Sequence, residues 1–411
     1  MPCIRRLIPL LAVLLAVPAA PAAAQSERDA LRKVLVREMS RAPASSGAYV
    51  ADADSGAGLF GWRSGAKRIL ASNTKLFTAG AALGREGPGA VLETQVLGVG
   101  AIDPVTGTFP GDLYLRGAGD PSFGSDAYNR ARYGGGASAE ALAQELYDAG
   151  LRRVRGAIVG DESLFDRLRG TAYSGFHGSG DIGGPLTALA YNHARTAQGR
   201  FQVNPPVYAA ARFADALRKR KIKVDEAAAA GETPDGALEL ADVESAPMSR
   251  LAQITGVRSE NWFAEMLLKG LSASGTTRAG AAEARGYARS LGAEVSLADG
   301  SGLSRSNRAS PREVVDFLVG ERDRPESGSF EAALPTAGVS GTLADRMRSG
   351  PARGRCRAKT GTIRAVTTLS GYCGTRGGST LAFSILMNNA SIAPRGARQD
   401  RMVQAIARYG G

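Results

Sequence analysis

The sequence predicts a mixed α/β (α+β) fold, in which helices cover an antiparallel sheet and a smaller α/β domain is inserted into the chain. Strand patterns lie near both ends of the 411 residues, and helical periodicity returns before the last strands. Between them, residues 91–248 change to short strand patterns and Gly-rich joints. We therefore predict a main domain from residues 25–90 and 249–411, with 91–248 as the inserted domain.

The first 24 residues have the pattern of a secretory signal peptide. An apolar run from Leu7 to Val17 follows a charged start, and small residues end at Ala24, which places cleavage before Gln25. That run is too short to span a bilayer. Cys3 precedes it and so is not placed as a lipoprotein cysteine would be. We expect an exported protein, periplasmic or secreted, without a transmembrane anchor.

The elements follow in chain order. After a short helical pattern at 33–38, two strand patterns at 47–52 and 59–62 flank a Gly-containing turn. The inserted segment carries strand patterns at 112–115 and 156–159 and a helix near 138–148. In the C-terminal part we predict helices at 249–271 and 276–291, strands at 356–362, 366–373 and 381–388, and a final helix at 398–409.

Ser72 and Lys75 stand three residues apart at a predicted helix start, so they share one face of the helix. A serine hydroxyl becomes a strong nucleophile when an adjacent base takes its proton, and a lysine with a lowered pKa can be that base. The spacing alone is weak evidence, because Ser64-Gly65-Ala66-Lys67 repeats it in a turn-like stretch.

Two further motifs strengthen the hypothesis. Ser259-Glu260-Asn261 is the only Ser-x-Asn, and Lys359-Thr360-Gly361 is the only Lys-Thr-Gly. The chain has eight lysines among 51 basic residues, so two lysines in such motifs are hard to ascribe to chance.

Ser-x-x-Lys, Ser-x-Asn and Lys-Thr-Gly together are typical of class A β-lactamases and penicillin-binding proteins. The sequence resembles the D-alanyl-D-alanine carboxypeptidase/endopeptidases of the class C low-molecular-mass type, peptidase family S13, which implies a serine β-lactamase/transpeptidase-like domain. Glu260 departs from the family's usual Asp. Besides the motifs, the resemblance includes Gly117-Ala118-Gly119-Asp120-Pro121, Val159-Gly160-Asp161-Glu162-Ser163-Leu164-Phe165, Asp299-Gly300-Ser301-Gly302-Leu303-Ser304-Arg305 and Ala358-Lys359-Thr360-Gly361-Thr362.

The resemblance implies four catalytic roles. Ser72 attacks the carbonyl of the penultimate D-Ala, and Lys75 takes its proton. Ser259 relays that proton to the leaving amine. Asn261 holds Lys75 and the substrate backbone.

It also implies a substrate-binding set on the third motif. Lys359 lowers the pKa of Lys75 and attracts a substrate carboxylate. Thr360 and Thr362 bind that carboxylate beside Gly361, and the backbone N–H groups of Ser72 and Thr362 form the oxyanion hole. Peptidoglycan peptides and β-lactam antibiotics are the expected partners.

Asp161 and Arg305 are the last residues that the resemblance assigns to substrate. They would line a pocket for the charged end of a meso-diaminopimelate-like side chain. The alternative is an ordinary ion pair between domains.

Three other functions share part of this pattern. A class A β-lactamase needs a glutamate for deacylation, and no Glu-x-x-Leu-Asn segment lies between the first two motifs. A catalytically silent wall-binding relative would normally lack Ser72, Lys75 or Lys359, and all three are present. A serine esterase on the same fold remains a third alternative.

Composition excludes several classes of site. The net charge of +12 comes without a basic stripe interleaved with aromatics, so we predict no nucleic-acid partner and instead an attraction to an anionic cell-wall or membrane surface. The dense basic run 218–223 is interpreted as a solvated helix end. With only His177 and His193, both in loop-like context, we expect no histidine triad, metal or other cofactor.

Cys356 and Cys373 remain after signal cleavage and are predicted to form a disulfide. If 356–363 and 366–373 are antiparallel strands joined by a turn at Arg364-Ala365, counting back seven positions pairs the two cysteines at a non-hydrogen-bonded site, with Cα atoms about 4.5–5.5 Å apart. That separation suits a disulfide. The turn lacks the Gly or Asn that such turns prefer, so a longer loop with shifted register, or two buried free thiols, is the alternative.

Overall fold

The computed structural model describes residues 22–389 and 396–411, and the predicted signal peptide lies outside them except for its last three residues. The helices are α1 (Ala22–Ser40), α2 (Thr74–Glu86), α3 (Asp126–Tyr133), α4 (Ala139–Asp148), α5 (Pro205–Lys219), α6 (Met248–Val257), α7 (Asn261–Gly270), α8 (Thr277–Ser290), α9 (Pro311–Arg322), α10 (Ser327–Ala332) and α11 (Ala397–Arg408). None of these helices is long and apolar enough to cross a membrane.

Fifteen strands occur in the described residues. They are β1 (Gly47–Asp52), β2 (Gly58–Trp62), β3 (Arg68–Ile69), β4 (Glu93–Gly98), β5 (Thr108–Phe109), β6 (Leu113–Arg116), β7 (Arg153–Val154), β8 (Ile158–Asp161), β9 (Lys223–Val224), β10 (Ala229–Ala230), β11 (Leu238–Glu244), β12 (Arg308–Ala309), β13 (Cys356–Ile363), β14 (Val366–Gly374) and β15 (Thr380–Asn388).

The main sheet joins the two ends of the chain. Its order is β13-β14-β15-β1-β2 and all its pairs are antiparallel, so β1 lies beside β15. Residues of α1 and α11, such as Leu35 and Val403, pack in the core on one face, and residues of α2 and α9, such as Phe77 and Phe317, pack in the core on the other. The predicted antiparallel sheet with helical cover is confirmed.

The helix predicted over 249–271 is wrong in one respect, because it is two helices. α6 ends at Val257 and α7 begins at Asn261. Between them Ser259 has φ +60°, a left-handed conformation that cannot continue a right-handed helix. The N-terminal helix is also longer than the predicted 33–38. α9 was not predicted, although Ser310 and Glu313 form a capping box at its start.

The segment 91–248 builds sheets of its own. One has the order β10-β8-β6-β4-β11, a smaller one the order β5-β7-β9, and a separate core includes Phe109, Leu142 and Phe213. Phe165 of the same segment instead packs into the core shared with α2 and α7. These observations support the proposal that 91–248 is an inserted domain seated against a main domain of 25–90 and 249–411.

The C-terminal hairpin has the expected register. Ile363 pairs with Val366 and Cys356 with Cys373, and a disulfide joins the two cysteines. Gly374 N–H donates to the Arg355 carbonyl, which makes the neighbouring cysteine pair the non-hydrogen-bonded one. Ala365 takes φ +61° in the turn, so this two-residue turn forms without glycine.

We predict that replacing both cysteines, Cys356→Ser with Cys373→Ser, lowers the free energy of unfolding by roughly 3 kcal/mol, because the unfolded chain gains the freedom that the closed loop removes. Urea unfolding of the oxidised wild type and of the double variant measures this difference. Mass spectrometry of unreduced, alkylated protein provides the control. Two alkylated cysteines in freshly exported wild type would contradict the bridge.

A buried carboxyl group makes the stability depend on pH. Glu321 in α9 is fully buried, and neither of its carboxyl oxygens has a hydrogen-bond partner among the described residues. Burial raises the pKa of Glu321 to about 8, against an ordinary value of 4.5. Between these values the unfolded chain releases a proton that the folded chain keeps, so stability falls as pH rises.

We predict that Glu321→Gln removes this loss. Its free energy of unfolding should fall less between about pH 5 and pH 8 than that of the wild type, by on the order of a few kcal/mol. Urea unfolding at both pH values is the measurement, and Glu283→Gln, at an exposed side chain, is the matched control. An identical pH dependence in wild type and Glu321→Gln would show that Glu321 is not the group responsible.

Candidate active site

The turn that carries Ser72 is fixed against the main sheet. A 3₁₀ turn at Ala71–Asn73 leads directly into α2. The Asn73 amide donates to Ser370 Oγ at 2.6 Å, and its oxygen accepts from Thr368 Oγ1 at 2.9 Å. Both partners lie on β14, so the nucleophile candidate stands on backbone that is tied to the sheet.

Lys75 is buried beside Ser72, with 1% of its surface exposed. Its Nζ lies 3.1 Å from Ser72 Oγ, 2.6 Å from Asn261 Oδ1 and 2.7 Å from the Ser301 carbonyl oxygen. Burial lowers the pKa of Lys75 to about 8, although the charge of Glu265 opposes the shift. An amine with that pKa is partly neutral near pH 7 to 8 and can accept a proton from the hydroxyl.

Glu265 holds the loop that supplies the Ser301 carbonyl. Its carboxylate oxygens accept from Gly300 N–H at 3.0 Å and from Ser301 N–H at 2.9 Å. Asp299 braces the same loop by accepting from Gly302 N–H at 2.8 Å. Burial and then the charge of Asp299 raise the pKa of Glu265 to about 7. Sequence reasoning missed Glu265; the available signal was an acidic residue four positions after Asn261, among the apolar residues of α7.

Ser259 and Lys359 form the second polar pair. Lys359 Nζ donates to Ser259 Oγ at 2.9 Å and to the Thr360 carbonyl at 2.9 Å. Burial first, and then the charge of Lys75, hold the pKa of Lys359 well below its usual value. We predicted that Lys359 would help to lower the pKa of Lys75. Burial is the main cause of the lowered pKa of Lys75. Repulsion between the two ammonium groups acts on both lysines, so this role of Lys359 stays a prediction.

Gly361 lets the strand approach Ser72 closely. A Cβ at this position would lie 3.0 Å from the Ser72 nitrogen and would collide with the Thr368 hydroxyl. The backbones of β13 and of the Ser72 turn therefore run side by side, as an oxyanion hole from the Ser72 and Thr362 N–H groups requires. The Thr360 hydroxyl lies 2.7 Å from the hydroxyl of Thr342, a neighbour that sequence reasoning missed.

The Asn261 side chain bridges two parts of the fold. Its oxygen accepts from Lys75, and its Nδ2 donates to the carbonyl of Asp181 at 2.6 Å. Asp181 was not predicted, and nothing in its sequence context signals the contact. It lies in the segment 91–248, so that segment helps to set the orientation of the Asn261 amide.

Asp161 and Arg305 have different hydrogen-bond partners in the described structure. Asp161 is buried, and its carboxylate accepts from Ser163 N–H and from the backbone and hydroxyl of Thr233. Arg305 is exposed and donates to the Arg364 carbonyl at 3.0 Å. No ion pair joins these two side chains in the described structure, and the Asp161 carboxylate is occupied by Ser163 and Thr233, which follow β8 and β10. That Asp161 and Arg305 line one substrate pocket stays a prediction.

The histidines lie outside this group. His193 stacks on Trp262 with ring centroids 4.3 Å apart, and burial lowers its pKa to about 3. Over residues 22–389 and 396–411, no cluster of three or more His, Cys, Asp or Glu side chains is arranged to hold a metal ion.

Known proteins share this sequence and fold. The profile of the D-Ala-D-Ala carboxypeptidase 3 (S13) family matches residues 30–173 and 187–409. The chain is 30% identical to the D-alanyl-D-alanine carboxypeptidase of Actinomadura sp. (strain R39), over 90% of this chain and 82% of the relative. Penicillin binding protein 4 from Haemophilus influenzae has the same fold, with a TM-score of 0.72, 20% identity, and coverage of 90% of this chain and 98% of that one. A predatory endopeptidase of Bdellovibrio bacteriovorus, solved acylated by penicillin G, matches with a TM-score of 0.53, 19% identity, and coverage of 88% of both chains.

We predict that Glu265→Gln moves the pH dependence of the Ser72 reaction to lower pH. Removing the negative charge lowers the pKa of Lys75 further, so more of the neutral amine is present at a given pH. The rate of penicillin acylation is measured from about pH 6 to pH 9. As the pH is lowered, the decrease in this rate should occur at a lower pH in Glu265→Gln than in the wild type. Glu283→Gln, far from Lys75 on α8, is the matched control. An unchanged pH dependence would show that Glu265 acts on the loop alone.

Proposed function

This chain belongs to the D-Ala-D-Ala carboxypeptidase 3 (S13) family and is a serine D,D-peptidase acting on peptidoglycan, and we propose that Ser72 is its nucleophile. The observation that carries the proposal is the position of Lys75, which is buried with its Nζ 3.1 Å from Ser72 Oγ. Ser64, the serine of the second Ser-x-x-Lys match, has no such partner. The Nζ of Lys67 instead donates to the Glu294 carbonyl and lies near the carboxylate of Glu313.

The acylation step uses the neutral form of Lys75. Ser72 Oγ bonds to the carbonyl carbon of the penultimate D-Ala while its proton passes to Lys75 Nζ. The negative charge that develops on the carbonyl oxygen is met by the N–H groups of Ser72 and Thr362. The close backbone approach at Gly361 supports this pairing of donors.

Expulsion of the leaving group needs a proton donor on the other side of the bond. As the C–N bond breaks, Ser259 Oγ passes a proton to the amine, and Lys75 restores the proton to Ser259. Lys359 and the hydroxyls of Thr360 and Thr362 bind the carboxylate next to that amine. The 2.9 Å contact between Lys359 and Ser259 supports placing the carboxylate at this end.

Hydrolysis completes the cycle. Water attacks the acyl carbon and gives its proton to Lys75. As the bond between that carbon and Ser72 Oγ breaks, Lys75 passes the proton to Ser72 Oγ. Asn261 orients Lys75 throughout, through its 2.6 Å contact. β-Lactams enter the same site because their ring amide occupies the place of the scissile bond, and the penicillin-acylated Bdellovibrio relative supports this assignment.

Export follows from the substrate. Peptidoglycan lies outside the cytoplasmic membrane, and residues 1–24 have the pattern of a signal peptide. We propose that the enzyme is exported and acts in the periplasm or the extracellular wall.

We predict that a fluorescent penicillin labels the wild type covalently and that Ser72→Ala abolishes the labelling, since the acyl-enzyme bond forms on Ser72 Oγ. Gel fluorescence after denaturation measures it. Ser64→Ala is the matched control and should label like the wild type. Equal labelling of wild type and Ser72→Ala would refute the nucleophile, and loss of labelling in Ser64→Ala would transfer the role to the other serine.

The alternatives are separated by turnover. A D,D-peptidase releases D-Ala from a peptide ending in D-Ala-D-Ala, an esterase favours simple esters, and a β-lactamase frees itself rapidly from penicillin. Release of D-Ala by the wild type and not by Ser72→Ala is the expected result.

A further inference from the structure

A cleft of about 720 Å³ opens at the end of the main sheet where β13 begins. Its lining includes four arginines and two apolar side chains, which are Arg348, Arg353, Arg355, Arg376, Val339 and Pro351. We call it the arginine cleft. Its residues take no part in the acylation chemistry proposed above.

The arginines of the arginine cleft have almost no ion-pair partners in the described structure. Arg348, Arg353 and Arg355 are exposed and form no ion pair in the described structure, and Arg376 lies 3.7 Å from Glu27, an exposed partner. Neither undescribed segment, 1–21 or 390–395, contains an aspartate or glutamate, so these segments hold no acidic side chain that could pair with the arginines. Guanidinium groups gathered without carboxylates favour an anionic ligand.

The backbone of the cleft is held in place. The Gln404 side chain of α11 accepts from Ala352 N–H at 3.1 Å and donates to the Ser349 carbonyl at 2.7 Å. The disulfide at Cys356 fixes the residue next to Arg355. A site built on such backbone loses little conformational freedom when it binds.

Strand β13 connects the cleft with the carboxylate end of the active site. Arg357 and Lys359 point to the same face of β13, because side chains alternate along a strand, and Arg357 is exposed. Val339 lies three residues before Thr342, whose hydroxyl contacts that of Thr360. From Thr360 to Arg355 the strand spans about 17 Å, a distance that a short peptide covers.

We propose that the arginine cleft binds the carboxylates of the second stem peptide in a cross-linked substrate, the strand that is released as an amine. The proposal rests on the function proposed above. In a D,D cross-link the leaving amine belongs to a diamino acid of another stem peptide, which therefore continues past Lys359 and Thr360. Ser72 Oγ bonds to the D-Ala carbonyl carbon, the C–N bond to that amine breaks, and the proton from Ser259 ends on it.

Stem peptides carry free carboxylates, and arginine binds carboxylates through paired hydrogen bonds. A terminal D-Ala, the leaving group of a carboxypeptidase reaction, is too short to extend from Thr360 to Arg355. The cleft therefore selects the endopeptidase substrate without affecting the monomeric one.

The test compares two substrates with the full enzyme. Arg353→Gln combined with Arg355→Gln should lower kcat/KM for a cross-linked muropeptide dimer by about tenfold, as expected for losing charged hydrogen bonds. Hydrolysis of a monomeric pentapeptide and labelling by fluorescent penicillin should stay within about twofold of the wild type. Arg218→Gln with Lys219→Gln, which removes the same charge at the exposed end of α5, is the matched control and should leave all three unchanged.

Equal losses on dimer and monomer would overturn the proposal, and so would an unchanged rate on the dimer, the result expected if the cleft binds phosphate groups of a wall polymer instead. A loss on the dimer in the α5 control would also overturn it, because net charge would then be the cause. Circular dichroism melting of each variant confirms folding. Failure of the wild type to label with penicillin or to cleave the pentapeptide would refute the proposed function itself. This result differs from the results that would overturn only the proposed role of the arginine cleft.

Discussion

The buried amine of Lys75 is the group around which the catalytic part of the molecule is arranged. Moving an ammonium group from water into the protein interior costs free energy unless the group is hydrogen-bonded. Three acceptors, on Ser72, Asn261 and Ser301, form these hydrogen bonds with Lys75. These acceptors come from the 3₁₀ turn before α2, from α7 and from the loop before β12. The contacts that make burial tolerable thus also bring together the elements that the reaction needs.

Two unusual backbone positions complete this arrangement. Ser259 takes a left-handed conformation that ends α6, so its hydroxyl faces Lys359 while Asn261 begins the next helix. Gly361 allows β13 to run against the Ser72 turn. A helix continuous through 259 would separate the serine from the lysine, and a side chain at 361 would push the strand away. Local departure from regular structure is therefore part of the site.

Much of this could be predicted from the sequence. The three motifs, the strand patterns at both ends and the positions of Cys356 and Cys373 relative to the turn are properties of short stretches of sequence. Such properties can be recognised without knowledge of the tertiary structure. The break at Ser259 was missed because apolar periodicity continues across it. Asp181 and Asn261 are 80 residues apart, and their contact depends on how distant segments pack against each other. The spacing of residues in the sequence does not predict such a contact. The pocket expected of Arg305 and Asp161 stays a prediction for the same reason, since similarity to a motif does not settle which partner lies opposite.

The pairing of β1 with β15 determines when the fold can close. These strands are about 330 residues apart in the chain, so the hairpin of β1 and β2 has no sheet to join until the C-terminal strands have been synthesised. A lone hairpin of this size is marginally stable in water. The main sheet of the nascent polypeptide consequently stays open until nearly the whole chain has been synthesised. Late closure thus leaves the penicillin site incomplete during most of synthesis, because β13, which carries Lys359, is among the last strands of the chain.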